Sequence, residues 1–262
     1  MPRTPEPRRA RCLPRLSKRN VADLPEPRLV LGLQPVREAI KRHREALREV
    51  LVDARPQPRL EALARFARDQ GAAVRRVPER DLDRLSRGVH HQGAAAFAPP
   101  LSLVSLDSLI EDPALLGLAL DEVQDPQNFG AVIRCAVGLG AAVLWGEHAS
   151  APLTPATFRA SAGAIEHARL CRVRSLTSSL TTLAESGTQV VALDANAPDR
   201  LSDLDLRGRT VLVIGSEGSG LGRQVRRVAT RVARLVDLQA IDSLNASVAA
   251  ALALYEAHRQ RG

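Results

Sequence analysis

The larger, C-terminal part of the chain alternates short apolar runs with longer segments of helical periodicity. The apolar runs are nearly continuous, which is typical of parallel strands that are covered on both faces. We predict strands at 118–123, 142–145, 168–173, 189–193, 210–214 and 232–236. We predict helices near 128–139, 155–163, 175–186, 221–230 and 245–259. This alternation predicts a doubly wound α/β domain, which we place at residues 117–262.

Residues 29–98 repeat the alternation on a smaller scale and predict a separate, small α/β domain. The predicted strands and helices alternate as strands 29–33, 50–52, 72–77 and 93–98 with helices 34–44, 60–70 and 79–85. Residues 99–116 contain three prolines and are interpreted as a linker with a short helix at 106–110.

The net charge is the feature of the composition that says most about a binding partner. The chain has a formal net charge of +8, and residues 1–28 hold eight basic and three acidic residues without apolar periodicity. We predict a basic, disordered arm there, which either contacts a nucleic acid or has no role. Clustered cations release counterions on binding polyanions, so a nucleic acid is the favoured partner. Because only two of the 37 basic residues are lysines, an Arg- and Ala-rich composition inherited from the genome is the alternative explanation.

The rest of the composition excludes several classes of protein. A hydrophobic fraction of 45% suffices for a packed core, whereas 2% aromatic residues leave few side chains to stack on bases. Three widely spaced cysteines fit neither a disulfide framework nor a zinc site, and we expect no metal. Residues 1–20 lack the apolar segment of a signal peptide, and no stretch reaches the ~20 apolar residues of a membrane span. We therefore expect a cytoplasmic protein without a membrane partner.

The first candidate for chemistry is the segment 121–134, which reads Asp-Glu-Val-Gln-Asp-Pro-Gln-Asn-Phe-Gly-Ala-Val-Ile-Arg. The pattern predicts a strand, a tight polar loop and a helix, with Pro126 ending the extended part and Asn128 as the N-cap. Asn128 and Arg134 would then lie near the N-terminal end of one βα unit, where open α/β sheets bind ligands. Taken alone, Arg134 is better explained as a solvated helix arginine.

Two later segments have a similar pattern. Residues 211–221 predict a buried strand that runs into a glycine-rich loop with one carboxylate, Glu217. The loop lacks the Gly-Lys-Ser/Thr of a P-loop and the spacing of a dinucleotide-binding turn, which disfavours ATP and NAD. It either binds another ligand through its backbone or is a plain helix N-terminal turn. Residues 243–256 predict a polar loop and a long apolar helix, with Asn245 as its N-cap.

In this order and at this spacing, the three segments resemble the three signature motifs of the SpoU (TrmH-like) RNA ribose 2'-O-methyltransferases. The resemblance covers about residues 118–260 and is closest to RlmB-like guanosine enzymes of 23S ribosomal RNA. It implies a SPOUT-type parallel sheet whose C-terminal segment threads into a trefoil knot, although the rules of chain connection alone argue against a knot. It also implies S-adenosylmethionine as cofactor, RNA as substrate, and a homodimer in which the partner helps to form the RNA site.

The resemblance further implies roles for individual residues. The implied catalytic residues are Asn128, Arg134, Glu217, Ser243 and Asn245. The implied cofactor-binding residues are Leu193, Gly215, Ser216, Glu217, Leu235, Leu244 and Asn245. Where the family has Ile-Pro-Met before the last motif, this chain has Leu-Val-Asp at 235–237, so the adenine pocket is expected to differ in shape, with Asp237 near it.

Arg134 is the residue that the family places at the ribose. Guanidinium groups stay protonated to about pH 12, so we expect Arg134 to clamp a phosphate and to stabilise negative charge on the ribose oxygen rather than to act as a base. Asn128 would orient Arg134 or the ribose, and Glu217 would fix the arginine or the loop. Ser243 and Asn245 would hold the site together through hydrogen bonds. The acceptor of the 2'-hydroxyl proton stays unassigned.

Two details of the small domain bear on the substrate. Residues 32–40 and the triplet His91-Gln92-Gly93 resemble the ribosomal-protein-like substrate domain of several SpoU enzymes. They favour large-subunit ribosomal RNA over tRNA, with His90 and His91 either contacting RNA or forming a polar turn. A tRNA ribose methyltransferase or an rRNA-methylating antibiotic-resistance enzyme would carry out the same chemistry on another substrate. A non-catalytic RNA-binding or ribosome-assembly factor on the same fold is the alternative of a different class.

Overall fold

The computed structural model describes residues 28–147, 153–216, 218, 220–238, 240 and 242–262. The predicted arm therefore lies outside the described residues except for Arg28, and so does Glu217. Across the described ranges, no helix is long and apolar enough to cross a membrane. The same ranges contain no group of three or more His, Cys, Asp and Glu side chains that is arranged to hold a metal ion.

The N-terminal unit is a four-stranded sheet with helices on both faces. Its elements are β1 (Arg28–Leu31), α1 (Leu33–His43), β2 (Glu49–Asp53), α2 (Pro58–Asp69), β3 (Val74–Val77), α3 (Glu79–Ser86) and β4 (Ala94–Ala98). The strand order is β1-β4-β2-β3, with β4 antiparallel to β1 and β2, and β2 parallel to β3. Apolar side chains of α1 and α2 form the core on one face of the sheet, and Leu82 of α3 belongs to the core on the other.

The turn before β4 is held by hydrogen bonds within this unit. His91 Nδ1 accepts from the Gly93 amide at 3.0 Å, and His91 Nε2 donates to Asp83 at 3.0 Å. The Gln92 side chain accepts from the first amide of α1 at 3.0 Å. These contacts favour the polar-turn interpretation of His91, because both of its ring nitrogens are already used inside the protein.

The C-terminal unit is a six-stranded sheet in which all paired strands are parallel. Its strands are β5 (Leu116–Leu120), β6 (Ala142–Gly146), β7 (Leu170–Val173), β8 (Gln189–Leu193), β9 (Thr210–Ile214) and β10 (Arg231–Ala233). Their order is β10-β8-β9-β5-β6-β7. The connection after β5 leads to one side of the sheet and the connection after β9 leads to the other. The crevice between β5 and β9 is therefore the point where the strand order reverses.

Helices cover both faces of this sheet, as the continuous apolar strands predict. They are α4 (Leu106–Ile110), α5 (Pro126–Gly138), α6 (Pro155–Ala160), α7 (Leu176–Glu185), α8 (Arg223–Val228) and α9 (Ala246–Arg261). The core that contains α5 and α9 is distinct from the core that contains α4, α7 and α8. The predicted α/β class, the parallel sheet and the small preceding α/β unit are confirmed, with element ends displaced by a few residues. The trefoil knot and the domain boundaries stay predictions.

A buried ion pair joins the two units. Arg28, the first residue of β1, donates from its two Nη atoms to Glu166 at 2.8 and 2.6 Å, and the two residues are only 4% and 5% exposed. Glu166 belongs to a short 3-10 turn of the C-terminal unit and also accepts from His43 Nε2 at 3.0 Å. In the same turn, His167 donates to Glu38 of α1 at 3.0 Å. Hydrogen bonds to Glu166 and Glu38 thus fix β1 and α1 against the C-terminal unit.

Candidate active site

Helix α5 begins earlier than the sequence pattern suggests. Asp125 is its N-cap and accepts from the amides of Gln127 and Asn128 at 3.0 and 3.3 Å, while Pro126 occupies the first turn. The prediction of Asn128 as the N-cap is wrong, because Asp caps equally well and Pro is pre-organised for the first helical position. Asn128 is instead a buried residue of the first turn, where its side chain contacts another element.

Asn128 and Asn245 join the first motif to the third. Asn245 Nδ2 donates to Asn128 Oδ1 at 3.0 Å, although 117 residues separate them. At the same time Asn245 Oδ1 accepts from the amides of Ser247 and Val248 at 2.9 and 3.4 Å and caps α9. The sequence allowed two uses of Asn245, as a helix cap and as a site residue, and one side chain makes both sets of contacts.

The glycine-rich loop between β9 and α8 is closed by its own backbone. Ser216 and Gly220 exchange two backbone hydrogen bonds, of 3.1 and 3.0 Å. A Cβ atom at Gly215 would overlap the backbone of Gly220, and the φ angles of Gly218 and Gly220 are 90° and 65°. These features require glycine and bring backbone groups close together. They are the properties of a loop that binds a ligand through its main chain.

An acidic residue ties this loop to the end of β5. Asp121 directly follows β5, is only 7% exposed, and accepts from the Gly222 amide at 2.7 Å. Burial raises the pKa of the Asp121 carboxyl, the hydrogen bond from Gly222 opposes the rise, and the nearby charge of Glu122 adds to it. Glu122 has a φ of 57°, which is uncommon for a residue other than glycine.

A cavity of about 320 Å³ opens at the carboxyl ends of β5 and β9. Its lining comes from the loop after β5, the first turn of α5, the glycine-rich loop and the start of α9: Glu122, Val123, Gln124, Asp125, Asn128, Ser216 and Ala246. The cavity lies where the strand order reverses, which is the ligand position typical of open α/β sheets. Of the predicted site residues, Asn128 and Ser216 line it, so this cavity brings the first two motifs together.

Arg134 is not among the residues that line this cavity. It is exposed in the third turn of α5 and has no hydrogen-bond or ion-pair partner among the described residues. Six positions separate it from Asn128, so the two side chains leave different faces of the helix. Its guanidinium is therefore available to a group outside this chain.

The other predicted cofactor residues follow the same edge of the sheet. Leu193 ends β8 and pairs in register with Ala233, the last residue of the neighbouring β10. Leu235 lies two positions further, and both leucines pack, half-buried, on the larger core. Leu244 is half-buried and Ser243 is exposed just before α9. Half-buried leucines beside a loop that presents its backbone suit a ligand with a flat ring and a polar end, as S-adenosylmethionine has.

Asp237, expected near the adenine pocket, is engaged by arginines. Its carboxylate forms ion pairs with Arg200 and Arg234. The hydrogen bond from Arg234 is the main cause that lowers the pKa of the Asp237 carboxyl. The residue that replaces the family's methionine thus serves an ion-pair cluster beyond the end of β10.

Sequence reasoning missed three residues of this region. Asp125 had a recognisable signal, because Asp followed by Pro is a common start of a helix. Asp121 had a weaker one, an acid directly after a buried strand. The positive φ of Glu122 has no signal in the sequence.

Two family models match the chain. The model of the SpoU rRNA methylase family matches residues 116–255, and the model for RNA 2'-O ribose methyltransferase substrate binding matches residues 29–104. Over 241 residues the chain is 38% identical to an uncharacterized tRNA/rRNA methyltransferase of Mycolicibacterium vanbaalenii, which covers 89% of this chain and 76% of the relative.

Two solved structures differ in how much of the chain they cover. An AdoMet-bound rRNA methyltransferase from Sinorhizobium meliloti is 25% identical with a TM-score of 0.71, covering 88% of this chain and 86% of its own. A structure that concerns 2-OH methylation of C/U34 on tRNA is 30% identical with a TM-score of 0.52, covering 59% of this chain and 96% of its own.

The fold, the site and these matches define an enzyme that methylates RNA at the ribose 2'-oxygen and uses S-adenosylmethionine. The chain belongs to the SpoU rRNA methylase family. This membership decides against the non-catalytic RNA-binding factor that the sequence left as an alternative.

Proposed function

We propose that the enzyme methylates the ribose 2'-hydroxyl of a guanosine in large-subunit ribosomal RNA. The observation that carries the proposal is the hydrogen bond between Asn128 and Asn245, which unites two motifs beside a cavity at the reversal of strand order. The resemblance of residues 32–40 and 91–93 to the substrate domain of several SpoU enzymes supports large-subunit ribosomal RNA as the substrate. The resemblance of the chain to RlmB-like enzymes supports guanosine as the target.

The N-terminal unit supports ribosomal RNA over tRNA. The rRNA methyltransferase structure from Sinorhizobium meliloti covers 88% of this chain, which includes both units. The structure concerned with tRNA covers 59%, about the share that the C-terminal unit alone makes up. An enzyme that keeps a second RNA-binding unit has more surface with which to select a large, folded RNA.

In this proposal the cavity receives the target nucleotide. Asn128 and Asn245 orient the ribose, and alignment of a weak nucleophile supplies much of the rate enhancement that such a site can give. The loop residues Gly215 and Ser216 hold the cofactor through their backbone, with Leu193, Leu235 and Leu244 against its adenine. When bound, S-adenosylmethionine supplies the methyl group from its sulfonium. Ser243, and Glu217 outside the described residues, keep the supporting roles that the resemblance implies.

Arg134 is proposed to clamp an RNA phosphate and to stabilise negative charge on the ribose oxygen. A guanidinium binds phosphate through two parallel hydrogen bonds, so an exposed arginine that has no partner among the described residues is suited to this task. Because Arg134 does not line the cavity of its own chain, we propose that RNA or a second subunit brings the reacting group towards it.

We also propose that the chain forms a homodimer through helix α9. Val248, Leu252 and Tyr255 are 47%, 42% and 59% exposed, and they follow one face of α9. A contiguous exposed apolar stripe marks an interaction surface. Helix α9 packs against α5, the helix that carries Arg134, so a partner docked on α9 would lie close to α5.

The test is transfer of tritium from labelled S-adenosylmethionine to unmodified large-subunit ribosomal RNA and to bulk tRNA. Wild type is compared with Arg134→Ala, and with Arg207→Ala as a control for loss of an exposed arginine remote from the site. We expect label in a guanosine ribose of ribosomal RNA, reduced about 100-fold or more by Arg134→Ala because a charge-stabilising donor is lost. Arg207→Ala should label like wild type, and calorimetry should give all three proteins the same cofactor affinity.

Three other outcomes would each contradict a part of the proposal. Label in tRNA alone would overturn the ribosomal substrate, and label at a nucleotide other than guanosine would overturn the RlmB-like specificity. Full activity of Arg134→Ala would remove Arg134 from the mechanism.

A further inference from the structure

Asp121 is a buried acid that the proposed mechanism does not use. It stands at the end of β5, between the sheet and the residues 122–125 that line the cavity. An acid is rarely buried to 7% exposure unless its charge is hydrogen-bonded. The carboxylate has such a bond, from the Gly222 amide at 2.7 Å.

The two hydrogen bonds of Asp121 span the base of the glycine-rich loop. Its amide donates to the carbonyl of Ile214, the residue from which the loop starts, at 2.8 Å. Its side chain accepts from Gly222, the residue at which the loop ends and α8 begins. One residue of the β5 loop therefore holds both ends of the loop that follows β9.

The fit around the carboxylate is close. A Cβ atom at Gly222 would lie 3.2 Å from Asp121 Oδ2, which is tighter than an ordinary contact. The φ of Gly222 is −59°, which any residue adopts, so a side chain there is restricted by space and not by backbone conformation. The loop is thus set against this carboxylate, and a charged acceptor makes a stronger hydrogen bond to an amide than a neutral one.

We propose that Asp121 is a positioning residue for methyl transfer. It fixes the glycine-rich loop, on the cofactor side, relative to residues 122–125 and Asn128, on the nucleotide side. The inference rests on the proposed function, in which these two loops bind the two reactants. Asp121 touches neither reactant and acts through the Gly222 amide.

The first test needs no RNA. Amide hydrogen exchange of ligand-free protein should show protection at Gly222 in wild type, loss of that protection in Asp121→Ala, and retention in Asp121→Asn, whose side-chain oxygen still accepts. Calorimetry should give a Kd for S-adenosylmethionine that rises about tenfold or more in Asp121→Ala, the loss expected for a hydrogen bond to a charged group. Asp205→Asn, at an exposed acid remote from the site, is the control and should match wild type.

The second test separates positioning from chemistry. At saturating RNA, Asp121→Ala should raise the KM for S-adenosylmethionine in line with its Kd. Asp121→Asn should restore most of the loss, and the KM for RNA should stay constant. Should Asp121→Ala unfold, Gly222→Ala crowds the same contact from the other side and should raise the cofactor Kd a few-fold. Asp121→Asn keeps the side-chain oxygen, so adding Gly222→Ala to that variant should raise the Kd as well. An unchanged Kd in the double variant would contradict the shared contact.

Two results would overturn the proposal. One is wild-type cofactor affinity and Gly222 protection in Asp121→Ala. The other is a loss of kcat in Asp121→Asn as large as in Asp121→Ala with Kd unchanged, since that pattern requires the charge and not the hydrogen bond. If wild type modifies tRNA in place of ribosomal RNA, the proposed substrate is wrong. Hydrogen exchange and calorimetry still test the role of Asp121, because neither measurement uses RNA.

Discussion

At the scale of single residues, Asn245 combines two functions that mutation can separate. Its Oδ1 atom caps α9 and its Nδ2 atom donates to Asn128. Asn245→Asp keeps a capping oxygen, and its negative charge suits a helix N-terminus, but the donor is lost. We expect this variant to unfold like wild type in urea while methyl transfer falls about tenfold, because the part-buried hydrogen bond to Asn128 is lost.

Asn245→Ala is the matched variant, because it loses the cap as well. It should lower the free energy of unfolding by about 1 kcal/mol in addition to losing activity. Equal activity of Asn245→Asp and wild type would show that the Asn128 contact has no part in catalysis.

The sequence predicted this residue well and its partner only in part. The pattern at 243–256 indicated a capped helix, and the resemblance indicated a site residue, because both signals are local. The start of α5 was misjudged because two good caps, Asp125 and Asn128, lie close together and only Asp125 precedes the proline. That Asn128 and Asn245 meet depends on how β5 and α9 pack, which no local pattern contains.

At the scale of elements, the position of α5 depends on its close packing against helix α6. A Cβ atom at Gly130 would overlap the Thr157 carbonyl and the Ala160 methyl group of α6. Gly130→Ala must push the two helices apart, and overpacking of this kind costs about 1–3 kcal/mol. Urea unfolding should show this loss of stability.

The control for Gly130 lies on the same helix. Nothing lies within 4 Å of a Cβ atom at Gly138, so Gly138→Ala should gain up to about 1 kcal/mol of helix propensity. If both variants shifted stability in the same direction, the α5–α6 contact would not be the cause.

The exposed apolar stripe of α9, formed by Val248, Leu252 and Tyr255, predicts the oligomeric state. The double variant Leu252→Glu/Tyr255→Glu places charges on a surface that is already exposed in this chain, so the fold should be retained while a dimer interface is lost. Sedimentation should show the wild type as a dimer and this variant as a monomer. Leu103→Glu, at a leucine that is 40% exposed outside α9, should remain a dimer. A dimeric double variant would place the interface elsewhere.

At the scale of the whole molecule, the sequence predicted the elements better than their arrangement. Continuous apolar runs indicated parallel strands, but the order β10-β8-β9-β5-β6-β7 is set by long-range packing. The contact between the two units was not predicted either. The basic charge and the lack of apolar periodicity placed Arg28 in the predicted arm, whereas it begins β1 and is buried against Glu166.

The contact between the units should respond to loss of its charge. Glu166→Gln leaves Arg28 buried with a neutral partner, and breaking a buried pair in this way costs about 3 kcal/mol. Glu49→Gln removes the acid of an exposed pair with Arg75 and should cost less than about 1 kcal/mol. Urea unfolding of the three proteins measures both values, and similar losses in the two variants would contradict the role of burial.

The same pair predicts how stability depends on pH. Burial raises the pKa of the Glu166 carboxyl, but hydrogen bonds and charge interactions with His43 and Arg28 together lower it by more, so it lies below its ordinary value of 4.5. A carboxyl with a lowered pKa contributes stability that is complete above about pH 5 and is lost as the pH falls through the pKa of the folded state. Wild type should therefore lose more stability than Glu166→Gln between about pH 5 and 3, because the glutamine cannot take up a proton. Other paired acids, such as Asp53 and Asp112, titrate in both proteins, so the difference between the two curves reports Glu166 and its contacts with Arg28 and His43. Parallel curves would show that the charge of Glu166 does not stabilise the folded state.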